Sequence, residues 1–437
     1  VVPRFEPFTG LRYDVGRVGA LGDVCCPPYD AIDRRLHREL LARSPYNMVR
    51  LELPDEPDAP GAASNYERAR VVLDAWRDDG VLVRDPQPAF YGYRTTTTSS
   101  ADPGRPADPG RPADPGRATT GVIGALGLES SASGVLPHEW TTSGATTDRR
   151  RLLEVLQLNV SPIWGLTPSC GLSDTIGFPP TSGFPTPAGP NPAGPNPGVP
   201  NEDLAELSVD GVVHQLWPIT DLERCAAISD LVSSQALILA DGHHRYETAL
   251  DYYQARTAAG AGPDDGSSAL MTYVVELADE QVQVQAIHRL IDKPLDVPSL
   301  LAVLARSFTL TPTAPASNGI EERLEAAGAM AVVTATGTWL AAPSAQVTAA
   351  ASHDLDASRL DVALASVPDI ELRTQPGWRD VIEAVASGLA SVGFLLRPPS
   401  VAQIAAISQG GSRMPAKTTY FWPKPQTGLV LRELDSS

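Results

Sequence analysis

At 437 residues, with 52 acidic against 34 basic side chains and a formal net charge of −18, the chain lacks the positive surface that tracks a nucleic-acid backbone. Its length allows about two or three domains with ample core, and the absence of any apolar run of about 18 residues excludes a transmembrane helix. Four cysteines, Cys25, Cys26, Cys170 and Cys225, show no disulfide-framework or zinc spacing; with no basic-then-apolar leader, the expectation is a cytoplasmic protein with reduced thiols.

Residues 1–86 read as an N-terminal α/β region. Cys25-Cys26-Pro27-Pro28-Tyr29-Asp30 is a stiff turn, and either Tyr29 and Asp30 reach a ligand or Asp30 or Asp33 caps the next helix. That helix carries Ile32, Leu36 and Leu40 on one stripe and stops near Arg43, before Ser44-Pro45. Residues 48–53 then read as a strand. Tyr66, Ala69, Leu73 and Trp76 mark a second helix, ended by Asp79-Gly80. A strand pair follows at 89–95 and 121–128. Between them, 101–118 is a set of Pro- and Gly-rich hexapeptides, and 178–200 is a second tract of that kind. Neither composition packs a core, so both read as solvated insertions. Gly121, Gly124 and Gly127 do not make a dinucleotide fingerprint.

Val135-Leu136-Pro137-His138-Glu139 leads toward a helix over 148–158, with Asp148 as its cap and Leu152, Val155 and Leu156 buried. His138 and Glu139 fall on the entering loop, where carboxylates are usually solvated. The most informative stretch comes next. Residues 236–240 are a short apolar run, enough for one buried strand. From His243 the period becomes helical over 243–258, with Tyr246, Ala249, Leu250 and Tyr253 on one face. Asp241 suits an N-cap, and Gly242 lets the backbone turn sharply. Such a turn aims backbone N–H groups and the positive end of a helix dipole at one point. His243, His244 and Arg245 add donors in that first turn, so the arrangement favours an anion, phosphate first. Two histidines on an ordinary surface helix are the bland alternative. Zinc is disfavoured, because adjacent helix positions point about 100° apart and no His-x-x-x-His or Cys-x-x-Cys spacing accompanies them.

Residues 269–277 and 281–286 read as a hairpin; His288-Arg289 then face either the same site or form a satisfied surface pair. Helices at 298–306, 319–327 and 376–389, with strands at 307–312 and 391–396 and a hairpin at 330–342, describe an α+β domain without a catalytic cluster. The stretch from Met414 to Lys424 holds two of the three lysines of the chain, Lys293 being the other. Lys417, Thr418 and Thr419 suit phosphate or carboxylate oxygens; alternatively, this is a terminal strand docking Tyr420, Phe421 and Trp422. The expected division is 1–86, a phosphate-binding core over 87–292, an α+β domain over 293–400, and a returning segment over 401–437.

Asp241-Gly242-His243-His244-Arg245 resembles the phosphate-binding signature of the ParB/sulfiredoxin superfamily, in particular its free serine kinase branch. Further segments resemble, in order, a large family of unassigned bacterial and archaeal proteins: Pro7-Phe-Thr-Gly-Leu-Arg-Tyr13, Pro27-Pro-Tyr-Asp30, Ser44-Pro-Tyr-Asn47, Val135 to Glu139, Ser161-Pro162 and Met414 to Phe421. Sulfiredoxins carry a cysteine where this chain has His243 or His244, so sulfinic-acid reduction is not implied. The resemblance implies an α/β to α+β fold with a ParB/sulfiredoxin-like core. It also implies a nucleotide-dependent phosphotransferase acting on a small, serine-like hydroxyl compound. Its nucleotide would be ATP or ADP (CTP is possible), with Mg²⁺. Gly242, His243, His244, Arg245, Lys417 and Thr418 would hold phosphates, and Asp241 would help them and ligate the metal. Glu139 would accept the hydroxyl proton, with His244 beside it in catalysis. The rival reading is a nucleotide-binding regulatory switch with slow hydrolysis or none. Walker A and protein-kinase signatures are absent. The partners expected are a nucleotide and a small acceptor, without nucleic acid or membrane, and the oligomeric state stays open.

Overall fold

The apolar run forms the strand Leu237–Asp241 in a computed structural model of the chain, which describes residues 2–55, 64–97, 116–128, 134–140, 146–179 and 204–434. Leu237 and Leu239 pack into the core on one side of the sheet, Ile238 and Ala240 into the core on the other. A strand covered on both faces has no polar alternation, and so it reads as an unbroken apolar run. It belongs to a nine-stranded mixed sheet. The order is Val135–Pro137, Leu237–Asp241, Ile163–Thr167, Ala269–Glu276, Ala118–Gly127, Phe90–Thr97, Val212–Ile219 and Ala205–Val209, with Phe5–Glu6 added beside Ala118–Gly127. Two of its pairings are parallel: Val135–Pro137 with Leu237–Asp241, and Ile163–Thr167 with Ala269–Glu276.

A seven-stranded sheet follows in the C-terminal part, built on Gln283–Ile291. This strand is shared. Its first half pairs with Thr419–Trp422, its second half with Arg373–Pro376, and its end also with Val392–Leu395. A four-stranded sheet ties Gly10–Tyr13 to Leu431–Glu433, Leu82–Arg84 and Leu158–Asn159. The fold is mixed α/β, as expected. No helix among the described residues is long and apolar enough to cross a membrane.

Several elements match their sequence reading for identifiable reasons. The first long helix is Arg34–Arg43, and Asp33 caps it by accepting from the N–H groups of Arg35 and Leu36. Asn65–Asp78 begins with a capping box between Ser64 and Glu67. The strand pair at the hexapeptide insertion is Phe90–Thr97 with Ala118–Gly127, antiparallel. The Pro-rich tracts themselves lie outside the described residues, except at 116–118 and 178–179.

Other elements differ. The stretch 48–53 is not a strand but a single helical turn, Val49–Glu52. Buried Asn47 nucleates it: its side-chain oxygen accepts from Val49 N–H while its amide donates to the carbonyls of Asp23 and Cys25. Residues 269–277 and 281–286 do not form a hairpin. Ala269–Glu276 has neighbours on both edges, leaving no edge for the returning chain, which crosses to the other sheet. Asp148 does not cap its helix, which starts earlier and spans Thr146–Leu156. Its carboxylate accepts from Tyr66 Oη at 2.6 Å instead.

Candidate functional site

The parallel pairing sets Leu239 opposite Pro137. Beyond it the strand bulges between Leu239 and Asp241, and Glu139 bridges to Met414, so that Glu139 and Asp241 enter one cleft from neighbouring strands without continuing that register. Gly242 then turns the chain with φ of 87°, and a Cβ there would stand 2.7 Å from Ile163 Cγ2. Only glycine fits both demands. The helix His243–Ala258 starts immediately, capped by Gly242 without any side-chain bond, so Asp241 is not its cap. The first N–H groups of a helix have no intrahelical partner, and here they border a cleft of 740 Å³. The lining combines polar groups (His243, His244, Lys417, Lys424) with aromatic ones (Tyr29, Trp140, Tyr420) and with Thr374, Gln375 and Pro376 from the second sheet. His243 Nε2 and His244 Nδ1 are buried without a hydrogen-bond partner among the described residues. Burial pulls the His243 imidazole down to about 3, with the neighbouring His138 next in effect, so it is neutral at neutral pH.

Asp241 turns back onto two cations. Its Oδ2 accepts from Arg245 Nη2 at 3.1 Å and its Oδ1 from Lys424 Nζ at 3.1 Å. Burial opposes ionisation of Asp241, but Lys424 and Arg245 outweigh it and hold the carboxyl below its ordinary range. Lys424 also donates to Asp30 Oδ2 at 2.6 Å. Arg245 Nη1 donates to Ser161 Oγ at 2.9 Å and to the Pro162 carbonyl at 2.7 Å, and Ser161 Oγ donates to buried Glu52 at 2.9 Å. Charges therefore alternate along Glu52, Arg245, Asp241, Lys424 and Asp30. The terminal nitrogens of Arg245 prop the turn, while its Nε is buried without a hydrogen-bond partner among the described residues. Asp241 is poorly suited to the metal role, because Lys424 and Arg245 already neutralise its charge and would repel a divalent ion. Among the described residues, no group of three or more His, Cys, Asp or Glu side chains is placed to hold a metal ion.

Glu139 is held differently. Lys417 has a left-handed φ of 59°, and the successive N–H groups of Lys417, Thr418 and Thr419 converge on the Glu139 carboxylate at 3.0, 3.1 and 2.7 Å. Such a concave run of amides is an anion nest. The Thr419 hydroxyl donates as well. Oε1 takes three of the four donors, leaving Oε2 with one and with acceptor capacity to spare. Burial would raise this carboxyl; His138, Thr419 and His243 outweigh it and hold it at about 2. His138 donates from Nδ1 to the Leu239 carbonyl, and its ring centroid lies 4.9 Å from that of His243. Thr418 does not reach the cleft: its N–H serves Glu139, and its hydroxyl donates to the Pro415 carbonyl at 2.6 Å. The segment is also a docked strand, since Thr419–Trp422 pairs with Gln283–Ile291.

The cleft thus gathers Glu139, Asp241, Gly242, His243, His244, Arg245 and Lys417 in its lining and leaves Thr418 out. His288 and Arg289 are buried and do not line it, although Arg289 also donates to the carbonyl of Ala416, which does. His288 Nδ1 accepts from the Leu396 N–H, and Arg289 donates to the Ile287 carbonyl. The reading missed Lys424, Trp140 and His138, and it gave Asp30 no firm role. The scarcity of lysine was the available signal for Lys424.

Fold and cleft together define a mixed α/β protein with a glycine-capped strand-to-helix turn opening on a cleft. The chain belongs to the family described as "Protein of unknown function (DUF1015)", whose model matches residues 5–177 and 199–363. No curated protein matches it. Among solved structures, a free serine kinase mutant in complex with AMP is similar at 12% identity over 68% of this chain and 89% of that one, with a TM-score of 0.35. A conserved hypothetical protein from Pyrococcus furiosus is 13% identical over 69% and 92%, with a TM-score of 0.35. SbnI with a C-terminal truncation, from Staphylococcus aureus, is 10% identical over 70% and 87%, also with a TM-score of 0.35. At these scores the likenesses carry no argument for the site.

Proposed function

We propose that this chain is a nucleotide-dependent phosphotransferase that moves a phosphoryl group to a small hydroxyl compound of about the size of serine. One observation carries the reading. A helix N-terminus bearing two buried, unpartnered histidine nitrogens shares one cleft with Glu139, a carboxylate whose Oε2 still has acceptor capacity. Phosphoryl transfer needs charge held and a nucleophile oriented, with little covalent chemistry. The helix N-terminus, His243 and His244 meet the phosphates. Tyr29, Trp140 and Tyr420 offer aromatic faces for a base. Glu139 Oε2 orients the acceptor hydroxyl, a task in which position counts for more than basicity.

A second reading, a nucleotide-binding switch, is favoured by the low basicity of Glu139 and its four donors. A screen of serine-like hydroxyl acceptors with ATP, ADP and CTP, followed by phosphorus NMR, separates the two. The expected product is a phosphomonoester of the acceptor. Bound nucleotide with hydrolysis alone would favour the switch. Glu139→Gln should lower transfer by about 10²- to 10⁴-fold while nucleotide affinity stays within a few-fold. In either orientation the glutamine amide sets an NH₂ against a backbone N–H of the nest, so unfolding must be followed in parallel.

A further inference from the structure

The ion cluster beside the phosphate-binding turn carries an assignment of its own. Lys424 is a lysine whose side chain is only 10% exposed, with Nζ 2.6 Å from Asp30 Oδ2 and 3.1 Å from Asp241 Oδ1. Its ammonium also lies 5.5 Å from the centre of the Tyr420 ring. Two carboxylates closing on one buried cation is the arrangement in which a divalent ion is ordinarily sought. Here an ammonium fills it, and the remaining oxygen of Asp241 is on Arg245. Magnesium asks for direct oxygen ligands at about 2.0–2.1 Å in near-octahedral order, and a dication beside Asp241 would meet the ammonium of Lys424 and the guanidinium of Arg245.

We propose that Lys424 is the resident cation of the cleft: clamped by Asp30 and Asp241, it stands where a metal would stand and gives its remaining N–H to a phosphate oxygen. An ammonium has three donors, and the two carboxylates take two. The clamp fixes the long side chain in advance, so binding need not order it. The same cleft holds the unpartnered His243 Nε2 and His244 Nδ1, whose nearest use is also a phosphate oxygen. Burial disfavours the charged form of Lys424, but Asp241 and Asp30 outweigh it and raise its pKa, so the charge persists through neutral pH. Asp241 is then a positioning residue for Lys424 rather than a metal ligand. The phosphate half of this assignment rests on the function proposed above; the clamp does not.

Two measurements on the full chain test the halves separately. Calorimetry with inorganic pyrophosphate in EDTA should give metal-free binding to the wild type, weakened at least tenfold in Lys424→Met and held within a few-fold in Lys424→Arg. Electron paramagnetic resonance of free Mn²⁺ should show no tight site in the wild type. Lys424→Met, which removes the cation shared by Asp30 and Asp241 and leaves only Arg245 on Asp241, should gain one Mn²⁺ site, and Lys424→Met with Asp241→Asn should lose it again. A wild-type Mn²⁺ site abolished by Asp241→Asn would overturn the clamp and restore Asp241 as a metal ligand. Unweakened pyrophosphate binding in Lys424→Met would overturn the phosphate contact. A wild type that ignores pyrophosphate, with the Mn²⁺ results as expected, would overturn the phosphate reading of the cleft and leave the clamp standing. Circular dichroism of each variant guards against loss of fold.

Discussion

Glu139 and Asp241 follow adjacent parallel strands into the same cleft, both as carboxylates, yet the chain holds them by different means. Glu139 is gripped chiefly by backbone amides and a hydroxyl, with the His138 ring nitrogen 3.5 Å from Oε1. Asp241 is gripped by an arginine and a lysine. Dipoles stabilise an anion without cancelling it, whereas cations cancel it. The Glu139 side of the cleft therefore keeps an oxygen, Oε2, with acceptor capacity, whereas Asp241 and Asp30 are matched by Arg245 and Lys424. The same residue chemistry gives an acceptor in one place and a scaffold in the other.

The largest effect should come from emptying the nest. Glu139→Ala leaves three amides and a hydroxyl without their acceptor; at about 1–3 kcal/mol for each donor left buried and dry, offset by water entry, a loss on the order of 4 kcal/mol is expected. Urea denaturation checks it, and a loss under about 1 kcal/mol would mean that the nest is not structural.

Acid should discriminate the two sides next. A carboxyl whose folded pKa is about 2, against an ordinary 4.5, stabilises the fold above the ordinary value, and that stability disappears as pH falls toward 2. The gap corresponds to roughly 3 kcal/mol. Stability of the wild type and Glu139→Gln, compared from pH 6 down to pH 2, should therefore converge in acid; parallel curves would contradict the depressed pKa.

Removing a cation tests the other side. Arg245→Met strands Ser161 and the Pro162 carbonyl but leaves Asp241 its lysine, so about 2–3 kcal/mol of stability should be lost, toward the low end for a broken buried pair. A large drop in nucleotide affinity with stability unchanged would return Arg245 to the role of direct phosphate ligand. Ser161→Ala is the mildest probe: one hydrogen bond to Arg245 and one to Glu52 vanish, for about 1 kcal/mol, read as a small shift in the denaturation midpoint.

What the sequence made legible was local. Asp33 caps its helix within three residues, and the turn at Gly242 is written in consecutive positions, strand before it and helix after. What it hid was long-range partnership. Arg245 finds Ser161 across 84 positions, and Glu139 finds Lys417 across 278. A lysine in an irregular segment ordinarily faces water, so nothing local marks Lys424 as buried between two carboxylates. The 48–53 stretch misled for a related reason. Met48, Val49 and Leu51 are apolar because the core surrounds them, and the conformation is decided by Asn47 reaching back to Asp23 and Cys25.

The strand Gln283–Ile291 belongs to two pairings at once, with Thr419–Trp422 along its first half and Arg373–Pro376 along its second. It works as a stiff lever. A tilt of the C-terminal sheet cannot be absorbed by a loose joint, because the tilted strand also carries the one that supplies Thr419 to the grip on Glu139. A load on the outer face of that sheet, far from the cleft, would thus be felt at the carboxylate through continuous backbone.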